Sequence, residues 1–408
     1  MTYKGRIGVD MTGGDTAGFV PILDRTIKYL REAAEKHADY QFFAAGPKKQ
    51  LQEAGFPSNV EVIDAPETRY IDIKQVTPEH NNGNTPLHQL FKYADNQGLD
   101  VIISHAKAKA IQENTMRNSR DPDSSGLEKI PEIARPALVA MVPAFYRVEK
   151  TRGLVRRIEK VRVDVKNTIV LDVGANYQNK PLEMHQFAHL GKLCHKYFPR
   201  FTKDVKSRNP TVAILNMCEE SDFGPEKYRQ LYQALEADEN IHFVGNMETR
   251  HVLGIKPHVY NSASFVAPDV LLTEGFVGNM MIKMFTDFAD WFSLLLKDGM
   301  FPETNLAISP LYDIRALTLA GVKKRMLEEQ VPQKKFGGAL FAPVWTRDKK
   351  SIVFIKGRGE ADEGILHGIN RGISYHEAQV TTNINQDLGQ ILREAELVRK
   401  ADLKRMRA

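Results

Sequence analysis

Short, uninterrupted apolar runs alternate along the chain with longer stretches in which apolar residues recur every three or four positions. The runs are RIGVD (6–10), QFFAA (41–45), VEVID (60–64), VIIS (101–104), ALVAMV (137–142), IVLDV (169–173), VAILNM (212–217), IHFVG (241–245), VLLT (270–273) and SIVFI (351–355). Most are continuous rather than alternating, as in strands covered on both faces. Between them, Leu23, Ile27, Leu30 and Ala34 step by four, three and four and build one apolar helix face, with Pro21 suited to its start. Strand, helix and strand in repetition predict an α/β fold with a mostly parallel sheet between helix layers. Two regions read as additions. One is a basic insertion at about 147–167, with Lys150, Arg152, Arg156, Arg157, Lys160 and Arg162. The other is a tail after about His376, where Ile384, Leu388, Ile391, Ala395 and Val398 form an amphipathic helix. The expected division is therefore 1–375 as the α/β domain and 376–408 as a helical extension.

Composition narrows the class. A chain of 408 residues with 42% hydrophobic and 26% charged residues is that of a folded protein, not a disordered one. A net charge of +5 is too small to imply nucleic acid but suits an anionic substrate or an acidic partner. The two cysteines, Cys194 and Cys218, exclude a disulfide framework and fit a reducing cytoplasm. No run approaches the roughly 18 apolar residues of a membrane span. The stripe Met281, Met284, Phe285, Phe288, Phe292, Leu295 reads first as core or subunit interface. Extended through 281–301, it also leads us to expect weak, reversible contact with anionic bilayers.

Ligands of parallel α/β sheets gather beyond the carboxyl ends of strands. Five of the runs end in small and polar residues: Asp10 with Gly13, Gly14 and Asp15; Asp172 to Asn176 with Lys180; Glu219, Glu220 and Gly224; Asn246 with Glu248 and Arg250; and Glu274 to Asn279, which includes Gly278. Glycines let backbone N–H groups approach an anion. Lys180 can supply a cation to phosphate, and Asn246 and Asn279 neutral donors to an oxyanion. No Walker A, full GxGxxG, GxSxG or Cys–His pattern accompanies them, so in acyl transfer phosphate itself would be the nucleophile. Each feature has a plainer reading: Gly13-Gly14 as a tight turn, Asp172 and Asn176 as a cap-and-turn pair, Lys180 as a solvated helix start. His185 and His189 share a helix face at i, i+4, a spacing that suits zinc. No third ligand is evident in the sequence, and no metal is expected.

Taken in order, IGVDMTGGD, IPEIARPAL, LDVGANYQNKPLEMHQFAHLG, VAILNMCEE, FVGNMETR, EGFVGNMMIK, FGGA and KGRGEAD resemble the motifs of the phosphate acyltransferase (PlsX) family, over residues 5 to 372. The resemblance implies a three-layer α/β/α fold similar to the isocitrate dehydrogenase and phosphotransacetylase group, a homodimer, and no organic cofactor. It implies transfer of an acyl group from acyl-acyl-carrier-protein to inorganic phosphate for phospholipid synthesis, in the cytoplasm and at the inner membrane face. Lys180 and Asn246 match family residues implicated in catalysis. Asp10, Gly13, Gly14, Asp15, Asn176, Glu274, Gly278 and Asn279 fall in motifs taken to bind substrate and phosphate. The chain departs from the family at 104–110, where a glycine-rich SAGNTGA loop is replaced by Ser104, His105, Ala106, Lys107, Ala108, Lys109 and Ala110. Lys107 and Lys109 can replace backbone donors with cations. Val277 stands for a threonine, Glu360 for a serine, and Asp222-Phe223 for a Thr-Lys pair. A second reading therefore stands beside the enzyme: a paralogue that binds acyl-carrier-protein, or regulates lipid synthesis, without turnover. Nucleic acid is not an expected partner, since aromatic platforms and reading motifs are lacking.

Overall fold

The computed structural model describes residues 3–12, 22–65, 85–104, 137–152, 159–198, 209–252, 267–284, 339–340, 353–356, 364–384, 386–387 and 390–391. In chain order the elements are β1 (Gly5–Asp10), α1 (Ile22–Lys36), β2 (Tyr40–Gly46), α2 (Lys48–Glu53), β3 (Val60–Asp64), α3 (Pro86–Gln97), β4 (Val101–Ser104), β5 (Ala140–Arg152), β6 (Glu159–Leu171), α4 (Pro181–Tyr197), β7 (Thr211–Leu215), α5 (Glu226–Glu236), β8 (His242–Met247), α6 (Thr249–Val252) and β9 (Val270–Leu272). They continue with α7 (275–284), β10 (Ala339–Leu340), β11 (Val353–Lys356) and α8 (Gly364–Glu377). Every apolar run named above overlaps one of these strands.

The expected α/β architecture with mostly parallel strands is present, but the strands divide between two sheets. One has the order β10-β11-β4-β1-β2-β3, the other β5-β6-β9-β7-β8. All neighbours pair in parallel except β10 with β11 and β5 with β6. The β5–β6 pair is a long hairpin whose outer half is the basic insertion. The side chains of 141–167 lie outside the described residues.

Period-two alternation assigns each strand residue to a layer. In β2, Phe42 and Ala44 join Leu30, Ala33 and Ala34 of α1 and Ile365, Ile369 and Ile373 of α8. Phe43 and Ala45 point the other way, into a cluster with Leu87, Leu90, Phe91 and Ala94 of α3. In the second sheet, Ile169, Leu171, Val270 and Leu272 face α4 and α5, whereas Val170 and Leu271 enter the same cluster as Phe43. That shared cluster, with α3 in it, lies between the two sheets, and Val173, Leu215 and Met247 extend it to the strand ends that carry the site. Its residues are almost wholly buried, each worth about 1.5–3 kcal/mol in apolar transfer for the larger side chains.

Helix boundaries follow local chemistry. Thr85 Oγ1 accepts from His88 N–H at 3.3 Å and Pro86 opens α3; Gly98, at φ +73, closes it with an N–H to Ala94 O of 3.0 Å. The boundary expected at 375/376 falls inside α8, and Val380 and Ile384 are buried in the core cluster of α4 and α5. Leu388, Ala395 and Val398 lie outside the described residues.

Candidate active site

Two loops at the carboxyl edge of the five-stranded sheet are fastened to each other. The first, 172–180, follows β6 and turns through Gly174 at φ +120. Asp172, fully buried, organises it. Its Oδ1 accepts from the N–H groups of Leu138 (2.9 Å), Gly174 (3.1 Å) and Ala175 (2.9 Å), and its Oδ2 from the backbone N–H and Nδ2 of Asn176, both at 2.8 Å. Burial pushes the Asp172 carboxyl pKa up, and those donors pull against it. The second loop, 273–279, follows β9 and opens α7. Asp172 N–H donates to Thr273 O (2.9 Å) and Thr273 N–H to Leu171 O (2.6 Å). Asn279 Nδ2 donates to Val173 O and the Gly275 N–H to Asn179 Oδ1, each at 3.1 Å. Gly275 and Gly278 approach so closely that a Cβ on either would overlap a carbonyl oxygen, of Asn176 and Asp172 respectively.

Asn176, Gly278 and Asn279 are therefore tied into the contact between the loops. Glu274 is buried and forms an ion pair with Lys227 of α5, a partner the sequence did not reveal. Tyr228 beside it has its pKa pushed up to about 12, by burial first and by the negative charge of Glu274 second. Lys180 is exposed at the start of α4, its N–H donating to Glu183 Oε2 at 3.0 Å, with Pro181 as the first helical residue. Asn179, missed by sequence reasoning, is buried. Its Nδ2 has no hydrogen-bond partner among the described residues. Asn246 lies on β8, buried, with Nδ2 donating to Glu220 O at 2.7 Å. Lys180 and Asn246 thus share one sheet edge. The strands that lead to them are separated by β9 and β7, three steps of ~4.8 Å, or ~14 Å.

In the other sheet, Ser104 Oγ donates to Asp10 Oδ2 at 2.7 Å, and Thr12 N–H to Asp10 Oδ1 at 3.1 Å. This joins the carboxyl ends of the neighbouring parallel strands β1 and β4. Gly13, Gly14, Asp15, Lys107, Lys109 and Glu360 lie outside the described residues. The two fastened loops and the helices they open carry an apolar rim of exposed side chains: Tyr177, Leu182, Phe276, Val277, Met280 and Met284, with the rings of Tyr177 and Phe276 5.5 Å apart. His185 and His189 do have a third, acidic neighbour. Asp238 brings a carboxylate to both from 53 and 49 residues away, a separation that hides it from any local reading of the sequence.

A family model described as "Fatty acid synthesis protein" matches residues 5–383. The chain belongs to this family. Among the family's phosphate acyltransferases, that of Gloeothece citriformis is 29% identical over 282 residues, covering 69% of this chain and 67% of its own. That of Caldicellulosiruptor bescii is 25% identical over 393 residues, covering 94% and 98%. A putative phosphate acyltransferase of Clostridium perfringens is 26% identical over 395 residues, covering 94% and 96%. A phosphotransacetylase structure from Streptococcus pyogenes aligns over 92% of this chain and 94% of its own, with 12% identity and a TM-score of 0.45. No helix among the described residues is long and apolar enough to cross a membrane.

Proposed function

We propose that this protein transfers an acyl group from an acyl-acyl-carrier-protein thioester to inorganic phosphate, yielding acyl phosphate for phospholipid synthesis. Membership of the family, with near-full-length relatives named phosphate acyltransferases, is the observation that carries the reading. A phosphate oxygen attacks the thioester carbonyl. The C–O bond forms, the C–S bond breaks, and the proton lost by phosphate ends on the carrier thiol. Lys180, exposed beside the fastened loops, steers phosphate, and the buried Nδ2 of Asn179 offers it a donor. Asn246 steadies the carbonyl oxygen as charge develops on it. The Asp10–Ser104 pair and the 274–279 loop are assigned to substrate binding from the motifs they lie in. The apolar rim supports the reading, because an acyl chain needs such a surface beside the reacting carbon.

The reading extends to a cytoplasmic homodimer with weak, reversible contact to anionic membranes. Purified protein incubated with acyl-carrier-protein thioester and phosphate, then quenched with hydroxylamine, yields more acyl hydroxamate than a phosphate-free control, in which the thioester alone reacts. No phosphate-dependent hydroxamate at any chain length overturns the proposal. The replaced 104–110 segment favours the second reading, a carrier-binding paralogue. In that case carrier protein still binds, and Lys180→Ala leaves cellular function intact.

A further inference from the structure

His185 and His189 stand one turn apart on the side of α4 that meets the turn between α5 and β8. Their rings meet edge to face, with centroids 5.2 Å apart and planes at 85°. Both Nε2 atoms lie 2.9 Å from one and the same oxygen, Oδ2 of Asp238. The three ligand atoms all fall within 4.8 Å of one another. Asp238 is pinned from behind: its Oδ1 accepts from Asn240 N–H at 2.9 Å, its N–H donates to Leu235 O at 3.3 Å, and its carbonyl accepts from Ile241 N–H at 3.0 Å. Lys192 of α4 donates to Asn240 O of the same turn at 2.7 Å.

We propose that His185 Nε2, His189 Nε2 and Asp238 Oδ2 bind a divalent metal ion of the zinc class, which clips α4 to the α5–β8 turn. Two imidazoles and a carboxylate are a donor set that suits zinc, and i, i+4 is the helical spacing that aims two imidazoles at one ion. Around a tetrahedral ion with bonds of 2.0–2.1 Å, neighbouring ligand atoms sit roughly 3.3 Å apart. Each imidazole therefore needs to recede from Asp238 by only about 0.4 Å to admit the ion. Access is graded. The side chains of His189 and Asp238 are 7% and 13% exposed and that of His185 20%, so the site is closed on its inner side and open where a water would complete the fourth position.

The ion acts through position. His185 follows Lys180 by five residues on the same helix start, and Asp238 precedes the first residue of β8 by four. One ion thus joins the elements that carry Lys180 and Asn246, without touching either. The inference does not depend on acyl transfer, and its test reads metal binding alone.

Full-length protein, freed of metal by dialysis against a chelator, is titrated with Zn²⁺ in competition with a chromophoric chelator, and separately with Co²⁺. One tight zinc equivalent per chain is expected, together with the intense visible bands of four-coordinate cobalt and a zinc-dependent rise in Tm. His185→Gln and Asp238→Asn should each weaken zinc by at least about 100-fold, beyond what loss of an outer-shell group costs. His185 is the most exposed of the three, so His185→Gln should keep the metal-free Tm of the parent and separates metal loss from misfolding. The other candidate group among the described residues is Glu219, Glu248 and His251. Zinc affinity should survive His251→Gln. Absence of a tight equivalent overturns the proposal. So does affinity that survives both His185→Gln and Asp238→Asn, or that His251→Gln removes.

Discussion

Replacing Gly275 by alanine should cost far more than one methyl group suggests. The new Cβ would overlap the carbonyl oxygen of Asn176 and lie 2.8 Å from that residue's carbonyl carbon and 2.9 Å from Asp172 Oδ2, whereas real Cβ atoms keep beyond 3.0 Å. Two of these atoms are backbone, and Asn176 cannot swing aside freely, since its N–H and its Nδ2 both bond to Asp172 Oδ2 at 2.8 Å. Overpacking alone costs about 1–3 kcal/mol. Leaving one of those buried donors unmet costs about 1–3 kcal/mol more. The sum is centred near 4 kcal/mol, about a thousandfold in the folding equilibrium. Urea unfolding reads this as a lower midpoint at unchanged slope. The variant should also lose acyl-phosphate formation where it is still folded, because the displaced loop is the one that presents Lys180. A loss of stability under about 1 kcal/mol would refute the claim that the two loops are fastened at this point.

Asn246→Ala should lower turnover by about 100- to 1000-fold with carrier binding retained, measured as the rate of phosphate-dependent hydroxamate formation. Lys227→Met should cost about 1–3 kcal/mol by leaving the Glu274 carboxylate buried without its cation, and the double variant Lys227→Met/Glu274→Gln should recover most of it in the same unfolding assay. Tyr228 has a folded-state pKa raised from 10.0 to about 12, so its contribution is whole below pH 10 and is lost as pH rises toward 12. Tyr228→Phe should accordingly flatten that part of the stability–pH curve, and an ultraviolet titration should lose one late-ionising tyrosine.

The strands were legible because most are continuous apolar runs, and α1 because Leu23, Ile27, Leu30 and Ala34 keep a helical period. The division into two sheets was not, since apolar runs reveal that strands are covered but not which strands are neighbours. At the site, the strand-end rule singled out two loops that the structure fastens to each other, but not the contacts within them. Asn176 fell in a motif taken to bind substrate and Asn279 read as a donor to an oxyanion, and their side-chain nitrogens are directed to Asp172 and Val173 instead. The central place of Asp172 depends on an N–H from Leu138, 34 residues earlier, and Lys227 reaches Glu274 from another helix. Pairings of that range leave no trace in spacing. Asn179, flanked by polar residues, gave no signal, and Asp238 sits in a turn whose partner is a helix some fifty residues before it.

The most direct test follows thiol release from acyl-carrier-protein in a single turnover, with and without inorganic phosphate. Acyl transfer to phosphate predicts that free thiol appears only when phosphate is present, in step with acyl phosphate, and that Lys180→Ala and Asn246→Ala suppress both together. Thiol release at the same rate without phosphate, or none while the carrier remains bound, would contradict it.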